Sequence, residues 1–523
     1  MLSGGFKTLL GMLATRSAQV GMFDAAVLAR PLPEGSFFAL LAEHGERIVC
    51  DEDFAECYSP SMGRPSIPPS LLARVMLLQH RTGLSDEAAM EAVAWDLRWK
   101  VALGLAVDHV GWHPTSLTRF RARLLLHGKE RVALENTLAL AEALGMLDGA
   151  AEQIIDSTPM LGAAATQDTV RLVRHGVKKL IDAVCAVDVE AARRLDDGLQ
   201  FDYQRPDDKP DCRWREKAAR ERMLTRVAQD AERALQAVQR ADGLLGHEPV
   251  ADAHRLLREL IGQDFDVDDD GVPRLYRGTR ADRIISAVDV EMRHGRKSRH
   301  QRFDGYKLQA AATNAPEPLI TAVEVAPACE QDGPQARPLI ESQPAWRRPR
   351  RVLGDTAYGT GPARADLAAL DVDVLAPLIE PPVRDGRLAK RDFHVDLDAG
   401  SVSCPGGQVA TIRTEPSGRR RASFAKAGCD ACPLRARCVK SDGRRDILIA
   451  PEEQLLIAAR HALQDPATAE HLRRTRPRIE RLLGLLAHRY GARKSRYIGR
   501  AKARLQAAWA AALVNLNPIA RRL

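Results

Sequence analysis

Three acidic residues, Asp156, Asp355 and Glu480, have the types and local settings of a divalent-cation site. Asp156 follows the β-branched run of "AAEQIIDSTPM", and Asp355 follows an apolar run in "VLGDTAYGTG", where Gly354 and Gly359 permit a sharp exit from a strand. Ligands collect beside the carboxyl ends of strands in open α/β sheets, so the two aspartates would be adjacent if their strands are neighbours. Two carboxylates at such a short distance raise each other's pKa unless a cation lies between them. Mg²⁺, which binds oxygen ligands, can be that cation.

The third acid lies in a strongly basic stretch. Residues 471–504, "HLRRTRPRIERLLGLLAHRYGARKSRYIGRAKAR", contain twelve Lys and Arg residues and the single acid Glu480. Pro477 suits the first turn of a helix, and Thr475 is a candidate N-cap. A lone acid among arginines is most often an ion-pair partner. Here, however, it can supply a third carboxylate to the cation site while the arginines bind phosphates. The helix would dock on the sheet through an apolar stripe, with Glu480 at its edge; the stripe consists of Ile479, Leu482, Leu483, Leu486 and Tyr490.

The elements that must position these acids alternate between helical and strand-rich regions. Residues 31–147 are predicted to be mostly helical, with Pro68 and Pro69 at one helix start and Ser85 as an N-cap. Between 304 and 379, "DGYKLQAAAT", "PLITAVEVAP", "RRVLGDTAYG" and "VDVLAPLI" have the pattern of strands, with a helix, "QARPLIESQ", between the second and third. Together with "IIDST", these strands predict an α/β sheet in which a three-stranded meander is followed by a helical crossover to a parallel strand.

A chain of 523 residues is too long for one core, and the pattern divides it into core segments and insertions. We expect a leader at 1–30, a helical N-terminal DNA-binding domain at 31–147, the first core strand at 148–167, a helical insertion at 168–280, core strands at 281–379, a Cys-containing insertion at 380–465, C-terminal core helices at 466–517 and a tail at 518–523.

The charge distribution indicates a polyanionic partner. The net charge is +8 and the sequence pI is near 9.1, with the positive surplus concentrated in residues 471–504. In "HPTSLTRFRARLLL", Arg119 and Arg121 could enter a DNA groove in the manner of a helix-turn-helix, although an ordinary helical bundle has the same pattern. No apolar run approaches the roughly 18 to 20 residues that cross a bilayer, so no membrane partner is expected.

Four of the nine cysteines, Cys404, Cys429, Cys432 and Cys438, lie close together in the sequence. The C-x-x-C unit can direct two thiolates to one tetrahedral ion, with the other two in reach. The spacing is compatible with a structural Zn²⁺ and equally with a reduced thiol cluster. The odd total and wide spread argue against a disulfide framework.

Two other acidic patterns are not expected to bind metal. Residues 266–277, "DVDDDGVPRLYR", imitate a calcium loop, but Arg277 stands where the ion needs a bidentate Glu, so a solvated turn is predicted. Asp289, in "SAVDVEMRHGRKSRHQRFDGYK", is expected in a basic loop near DNA and not among metal ligands.

Together these motifs resemble those of bacterial insertion-sequence transposases of the DDE type, whose catalytic domain has a ribonuclease H-like fold. The matching stretches are "IIDST", "RHGRKSRHQRFDGYKLQAAAT", "VLGDTAYG" and "RPRIERLLGLLAHRYGARKSRYIGRAKARLQAAWAAALVNL". In addition, "RPSIPPSLLARVMLLQHRTGLSDEAAMEAVAWDLRWKVALGL" is similar to an N-terminal domain of one large group of them. The resemblance implies a ribonuclease H-like mixed sheet with flanking helices, a helical N-terminal domain and two insertions.

The resemblance also implies a site. Asp156, Asp355 and Glu480 would form the catalytic triad and hold two Mg²⁺ or Mn²⁺ ions. Arg476 stands at an Arg position of the family pattern, whereas Arg473 replaces its Tyr and Ala487 its later basic residue. DNA contacts are expected from Arg119, Arg121, Arg296, Lys297, Arg299, Lys307, Arg476, Arg493, Lys494 and Arg496.

The implied activity is metal-dependent cleavage at the ends of an insertion sequence, followed by transfer of the freed 3′-hydroxyl into target DNA. The partners would be double-stranded DNA with terminal inverted repeats, target DNA, and further copies of the chain in a homodimer or larger assembly. The expected location is the bacterial cytoplasm, in association with the nucleoid. The alternatives are a nuclease of the same fold that does not join ends, and a decayed transposon product that only binds DNA.

Overall fold

The computed structural model describes residues 12–16, 21–59, 61–147, 151–298, 300–380, 386–439 and 443–523. In these segments, none of the helices combines the length and the apolar character that crossing a membrane requires.

The N-terminal region is helical, as its sequence predicts. Ser85 is an N-cap whose Oγ accepts a hydrogen bond from the Ala88 N–H at 3.1 Å. Pro69 lies in the first turn of the preceding helix, which ends at Gly83 with a φ of +73°, a conformation that glycine favours. The helices are α1 (Ala25–Leu28), α2 (Phe37–Ile48), α3 (Pro69–Thr82), α4 (Asp86–Trp95), α5 (Leu97–Leu103), α6 (Thr115–Leu126) and α7 (Val132–Ala143).

After the first core strand, β1 (Glu152–Leu161), the chain enters the helical insertion, whose apolar side chains form a core of their own. The calcium-like sequence is a hairpin turn, as expected. Asp268 accepts from the Val272 N–H at 2.7 Å and from Arg274 at 2.8 Å, so its carboxylate is bonded within the turn. The elements are α8 (Thr169–Cys185), α9 (Val189–Asp197), α10 (Lys217–Arg240), α11 (Glu248–Asp264), β2 (Phe265–Val267) and β3 (Pro273–Leu275).

The central sheet has six strands and mixed direction. Its strands are β1, β4 (Arg293–Arg296), β5 (Arg302–Thr313), β6 (Ile320–Pro327), β7 (Arg351–Leu353) and β8 (Asp373–Leu375), with α12 (Asp332–Glu341) and α13 (Gly361–Ala368) in the connections. The strand order is β4-β5-β1-β7-β8, and β6 also pairs with β5. β5 is antiparallel to β1 and to β6, whereas β7 is parallel to β1 and to β8. The predicted meander and parallel crossover are therefore confirmed, and β4 is an additional strand that the sequence pattern did not indicate.

The Cys-containing insertion forms a separate five-stranded antiparallel sheet in the order β13-β12-β11-β10-β9. Its inner face carries its own apolar core, which includes Phe393, Phe424 and Cys429. The elements are β9 (His394–Asp396), β10 (Ser401–Ser403), β11 (Val409–Thr414), β12 (Arg420–Ser423), α14 (Lys426–Asp430), α15 (Arg435–Cys438) and β13 (Asp446–Ile449).

The chain then returns to the central sheet through α16 (Glu453–Gln464), α17 (Pro466–Thr475), α18 (Pro477–Gly484), a π-helical turn (Leu485–Arg489) and α19 (Arg500–Ile519). Pro477 begins α18 as predicted. The proposed N-cap role of Thr475 is wrong, because Thr475 ends α17 and Arg476 joins the two helices with helical backbone angles.

Helix α19 joins the N-terminal helices to the sheet in one continuous apolar core. It packs on α7, α3 and β6, and its Trp509 is fully buried. The Asn515 side chain accepts from the Ile320 N–H at 2.8 Å and donates to the Ile320 carbonyl at 2.9 Å. These two bonds satisfy backbone groups on the outer edge of β6, which would otherwise be open to pairing with another strand.

Candidate active site

A cavity of about 560 Å³ lies where β1 and β7 diverge. β7 pairs with β1 only at residues 152–154, whereas β1 runs on to Leu161. At the far end, the Leu161 N–H donates to the Arg493 carbonyl at 2.9 Å and the Ser495 N–H donates to the Leu161 carbonyl at 2.7 Å. The wall of the cavity between these two pairings includes Asp156. This residue was expected at the end of its strand but lies in its middle.

Asp355 reaches the cavity from the turn that follows β7. Its carboxylate caps the short 3₁₀ turn Thr356–Gly359 and accepts from the Ala357 N–H at 2.8 Å. A Cβ on Gly359 would lie 1.9 Å from the Pro377 carbonyl oxygen, so only glycine allows the turn to approach the next segment this closely. The sharp exit predicted from the glycines is thus present.

Glu480 reaches the cavity from α18, which packs on β1. Ile479, Leu482 and Leu483 are buried against the sheet, so Glu480 lies at the edge of the apolar stripe. Its side chain is 59% exposed, and its nearest cation is Arg476, with 3.9 Å between Nη2 and Oε1. An exposed, weakly paired glutamate can change rotamer at little cost and can therefore turn toward the other two acids.

The electrostatics of Asp156 show that these acids interact. Burial raises the pKa of Asp156 to about 6, with further raising by Asp355 and Glu480 and opposing effects of the Ser157 N–H and Arg476. In the described segments, no three His, Cys, Asp or Glu side chains are grouped closely enough to hold a metal ion. The donor chemistry nevertheless fits a hard divalent cation, because three carboxylates line one cavity and such cations prefer oxygen donors.

Basic side chains surround the acids. Arg493 Nη1 donates to the Pro159 carbonyl at 3.4 Å, on the open part of β1, and the neighbouring Lys494 is exposed. Arg299 lies outside the described residues. Four of the basic residues predicted to contact DNA line the cavity itself: Arg296, Lys297, Lys307 and Arg476.

Two predicted DNA contacts lie instead in an interface between the N-terminal helices and the segment before α19. Arg121 is buried, donates to Asp86 Oδ1 at 3.0 Å and lies over the Tyr497 ring at 4.8 Å. Arg496 donates to a backbone carbonyl between α3 and α4. Both guanidinium groups are thus engaged within the chain, whereas Arg119, on the same helix as Arg121, is exposed.

Asp289 was expected in a basic loop near DNA; it lies in the loop before β4, but its side chain is buried. Asp289 is 1% exposed and accepts from the Tyr306 hydroxyl at 2.7 Å and from the Gly499 N–H at 3.2 Å. The adjacent Glu291 accepts from the Arg500 N–H at 2.8 Å. Two carboxylates therefore bond the N-terminus of α19, where the helix dipole favours negative charge.

Sequence reasoning missed a fourth acid in the cavity wall, Asp332, and the polar side chains behind it, Gln309 and Tyr358. The one available signal was its place, shortly after the β6 segment and just before the predicted helix "QARPLIESQ". That signal is weak because Asp is common in the first turn of helices.

The four clustered cysteines lie in the Cys-containing insertion, away from the cavity lining, and all are free thiols. Cys404 and Cys432 converge on Gly406, where a Cβ would lie 3.6 Å and 2.9 Å from their sulfur atoms. The Gln408 N–H donates to Cys404 Sγ at 3.3 Å. Burial raises the pKa of Cys438, and the other three thiols of the cluster contribute to that rise.

Two stretches of the chain match families of known proteins. Residues 403–520 match the family Transposase DDE domain, and residues 27–123 match the family Transposase domain (DUF772). No curated protein and no solved structure matches the chain significantly. Over these two stretches the chain is similar to transposases.

More specifically, they support its assignment to the insertion-sequence DDE transposases. The first match includes Glu480 and the clustered cysteines but begins after Asp156 and Asp355, so the family comparison leaves the triad untested.

Proposed function

We propose that the chain cleaves DNA at the ends of an insertion sequence and joins the freed 3′-hydroxyl ends to target DNA, using Asp156, Asp355 and Glu480. The observation that carries this proposal is that the three carboxylates, 199 and 125 residues apart in the chain, line one cavity together with basic side chains. A site of this composition suits a substrate that brings phosphate charge and a cation that requires oxygen ligands.

The strand arrangement supports a ribonuclease H-like core. The resemblance described above implies a mixed sheet with flanking helices, and the strand pattern predicts a meander followed by a crossover to a parallel strand. The order β6-β5-β1-β7-β8 and the strand directions correspond to this plan. The helical insertion would then follow the first strand, and the Cys-containing insertion would follow the fifth.

In the proposed mechanism, Asp156, Asp355 and Glu480 would hold Mg²⁺ or Mn²⁺, two ions being expected. When bound, such ions activate an attacking oxygen and stabilise the leaving oxygen in an in-line displacement at phosphorus. The chain orients the phosphodiester through Lys307 and Arg476 in the cavity wall. Asp156 and Asp355 are held by backbone N–H groups, so they lose little freedom on binding a ligand.

Water is the nucleophile for cleavage and the freed 3′-hydroxyl is the nucleophile for joining. Both reactions displace oxygen at phosphorus, so one site can serve both without a covalent enzyme intermediate.

The DNA would extend from the cavity over the exposed basic surface formed by the β4–β5 hairpin and residues 493–494, with Arg119 as a further contact. Joining two ends of one element requires both ends in a single complex, so we propose a homodimer or larger assembly on terminal inverted repeats and target DNA. The protein would act at the nucleoid in the bacterial cytoplasm.

The test uses Asp156→Asn, Asp355→Asn and Glu480→Gln, which remove charge with little change in volume. Duplexes carrying the element's ends are incubated with Mg²⁺ or Mn²⁺, and cleavage is measured separately from binding. We expect each substitution to lower cleavage by at least about 10³-fold, because the site loses a ligand of the cation, while DNA binding persists. A variant with wild-type cleavage would remove its residue from the triad.

Glu470→Gln is the matched control for Glu480→Gln. Glu470 is an acid of the preceding helix, half-exposed and paired with Arg473 at 2.7 Å. We expect Glu470→Gln to cleave at the wild-type rate.

Pre-cleaved ends with a free 3′-hydroxyl, supplied with a target plasmid, distinguish the alternatives. A transposase joins them, a nuclease of the same fold cleaves intact ends but forms no joined product, and a decayed transposon protein only binds. The last two outcomes would refute the proposed joining activity.

We propose that Cys404, Cys429, Cys432 and Cys438 stabilise the insertion by binding one structural Zn²⁺. The proposal rests on the C-x-x-C spacing and on the positions of Cys404 and Cys432, both of which lie near Gly406. Tetrahedral thiolate coordination would require the four sulfur atoms to close together on the ion.

A further inference from the structure

A lysine and an aspartate outside the proposed triad face the same cavity. Lys307 Nζ lies 3.3 Å from Asp332 Oδ1 and donates to the Glu330 carbonyl at 2.7 Å. Only 14% of the Lys307 side chain and 20% of the Asp332 side chain are exposed. The ammonium group is therefore held in a defined position at the cavity wall, unlike the exposed Lys297 of the neighbouring hairpin.

Asp332 is fixed in turn by hydrogen bonds that lead into the interior. Gln309 Nε2 donates to Asp332 Oδ1 at 2.8 Å, and the buried Tyr358 hydroxyl donates to Gln309 Oε1 at 2.7 Å. Tyr358 belongs to the turn that Asp355 caps. The same small framework thus supports both Asp332 and one carboxylate of the proposed triad.

The contacts of Asp332 suit a residue that holds the Lys307 ammonium in place better than they suit a metal ligand. Two donors, the Lys307 ammonium and the Gln309 amide, already converge on Oδ1, and the ammonium offsets the carboxylate charge. An ammonium group has three N–H donors. One of them is donated to the Glu330 carbonyl and the contact with Asp332 is an ion pair, so the ammonium retains donor capacity for an oxygen in the cavity. Phosphate oxygen is a common partner of a lysine point charge.

We propose that Lys307 binds a non-bridging oxygen of the DNA phosphate in the cavity, and that Asp332 is a positioning residue that aims the Lys307 ammonium at that oxygen. The inference rests on the proposed function, since it takes the cavity as the site of DNA cleavage. A charge that is already oriented stabilises the transition state more than a mobile one, because no reorganisation is needed during the reaction.

The test compares Lys307→Met, Asp332→Asn and the double variant on duplexes that carry the element's ends. For Lys307→Met we expect kcat to fall about 10²-fold, as on removal of one oriented donor in other enzymes. The slope of log Kobs for DNA binding against log salt should become shallower by about 0.9, the value for one lost phosphate contact.

Asp332→Asn should lower kcat and leave unchanged the Mg²⁺ concentration that gives half-maximal cleavage. The double variant should be no slower than Lys307→Met, because the two residues act as one unit.

Lys178 and Asp182 provide a matched control pair on α8, with 2.5 Å between Nζ and Oδ1 and no part in the cavity. Lys178→Met and Asp182→Asn should leave kcat and the salt slope at wild-type values. Lys307→Arg should retain the salt slope because it keeps the charge. A thermal midpoint close to that of the wild-type protein establishes that each variant is folded.

The possible outcomes separate this inference from the proposed function. A wild-type protein that neither binds nor cleaves the ends overturns both. Wild-type cleavage with unchanged kcat and salt slope in Lys307→Met overturns the inference alone. A higher Mg²⁺ requirement in Asp332→Asn would make Asp332 a metal ligand and would overturn its positioning role.

Discussion

Replacing Arg121 with Met separates two roles for a basic residue of helix α6. Its sequence context suggested a DNA contact, whereas the structure has its guanidinium bonded to Asp86 and stacked over Tyr497. We expect Arg121→Met to destabilise the protein and to leave the salt dependence of DNA binding unchanged. The physical reason is that Asp86 would remain half-buried without its cation.

The expected magnitude follows from these contacts. Removing one partner of a buried ion pair costs about 3 to 5 kcal/mol. Because the Asp86 side chain is 25% exposed, the lower end, about 3 kcal/mol, is appropriate. An unfolding entropy of about 2.1 cal/mol/K per residue gives about 1.1 kcal/mol/K for 523 residues. The thermal midpoint should thus fall by about 3 °C if the whole chain unfolds together, and by more if a smaller unit unfolds.

The pKa of Asp86 sets the pH dependence of this loss. Burial alone would raise that pKa, but hydrogen bonds from Arg121 and Gln79 lower it below its ordinary value. The Arg121–Asp86 pair therefore contributes its full stability at pH values above the ordinary aspartate pKa. That contribution is lost as the pH falls through the lowered pKa of Asp86 in the folded protein. The difference between wild type and Arg121→Met should shrink in acid.

The assay is thermal unfolding together with DNA binding at several salt concentrations, with Arg119→Met as the matched control on the same helix. Arg119→Met should retain the wild-type midpoint. An unchanged midpoint in Arg121→Met, accompanied by a salt slope shallower by about 0.9, would show that Arg121 contacts phosphate and would refute the structural interpretation.

Three further predictions concern stability and metal content. Burial lowers the pKa of His80 to about 3, so below about pH 6.5 the unfolded state binds a proton that the folded state does not. The free energy of unfolding should therefore fall by up to about 1.4 kcal/mol for each pH unit below about 6.5. His80→Leu should make the thermal midpoint less dependent on pH between pH 5 and 7. Asp289→Ala leaves the Tyr306 hydroxyl and the Gly499 N–H without their acceptor, and should lower the free energy of unfolding in urea by about 2 to 4 kcal/mol. The protein purified without chelators should contain about one zinc per chain by atomic absorption, and Cys432→Ser should lower that content; zinc-free wild-type protein would favour the reduced thiol cluster.

Much of the fold could be predicted from short sequence patterns. The cap at Ser85, the helix start at Pro69 and the β5–β6 pair each depend on residues near one another in sequence, and the structure has all three. The length of β1 was misjudged because strand ends depend on distant partners. The far half of β1 pairs with β5 and with the backbone of residues 493–495, neither of which its own sequence reveals.

The candidate site was predictable to the extent that its acids have distinctive settings. Asp156 and Asp355 follow apolar runs, and Glu480 is the single acid of a basic helix. Sequence alone could not tell which charged residues face inward, because Arg121 pairs with Asp86, 35 residues away, and stacks on a ring still further along the chain. Asp332 was missed for the same reason, since its role depends on strand neighbours.

The position of helix α19 bears on the distance between the N-terminal helices and the cavity. Because one buried helix is shared by the N-terminal bundle and the sheet, the bundle has no independent hinge there, and Arg119 keeps a constant separation from the cavity. If the proposed function holds, a duplex bound at α6 would be cut at a fixed number of base pairs from that contact, because an apolar interface and not a flexible linker sets the spacing.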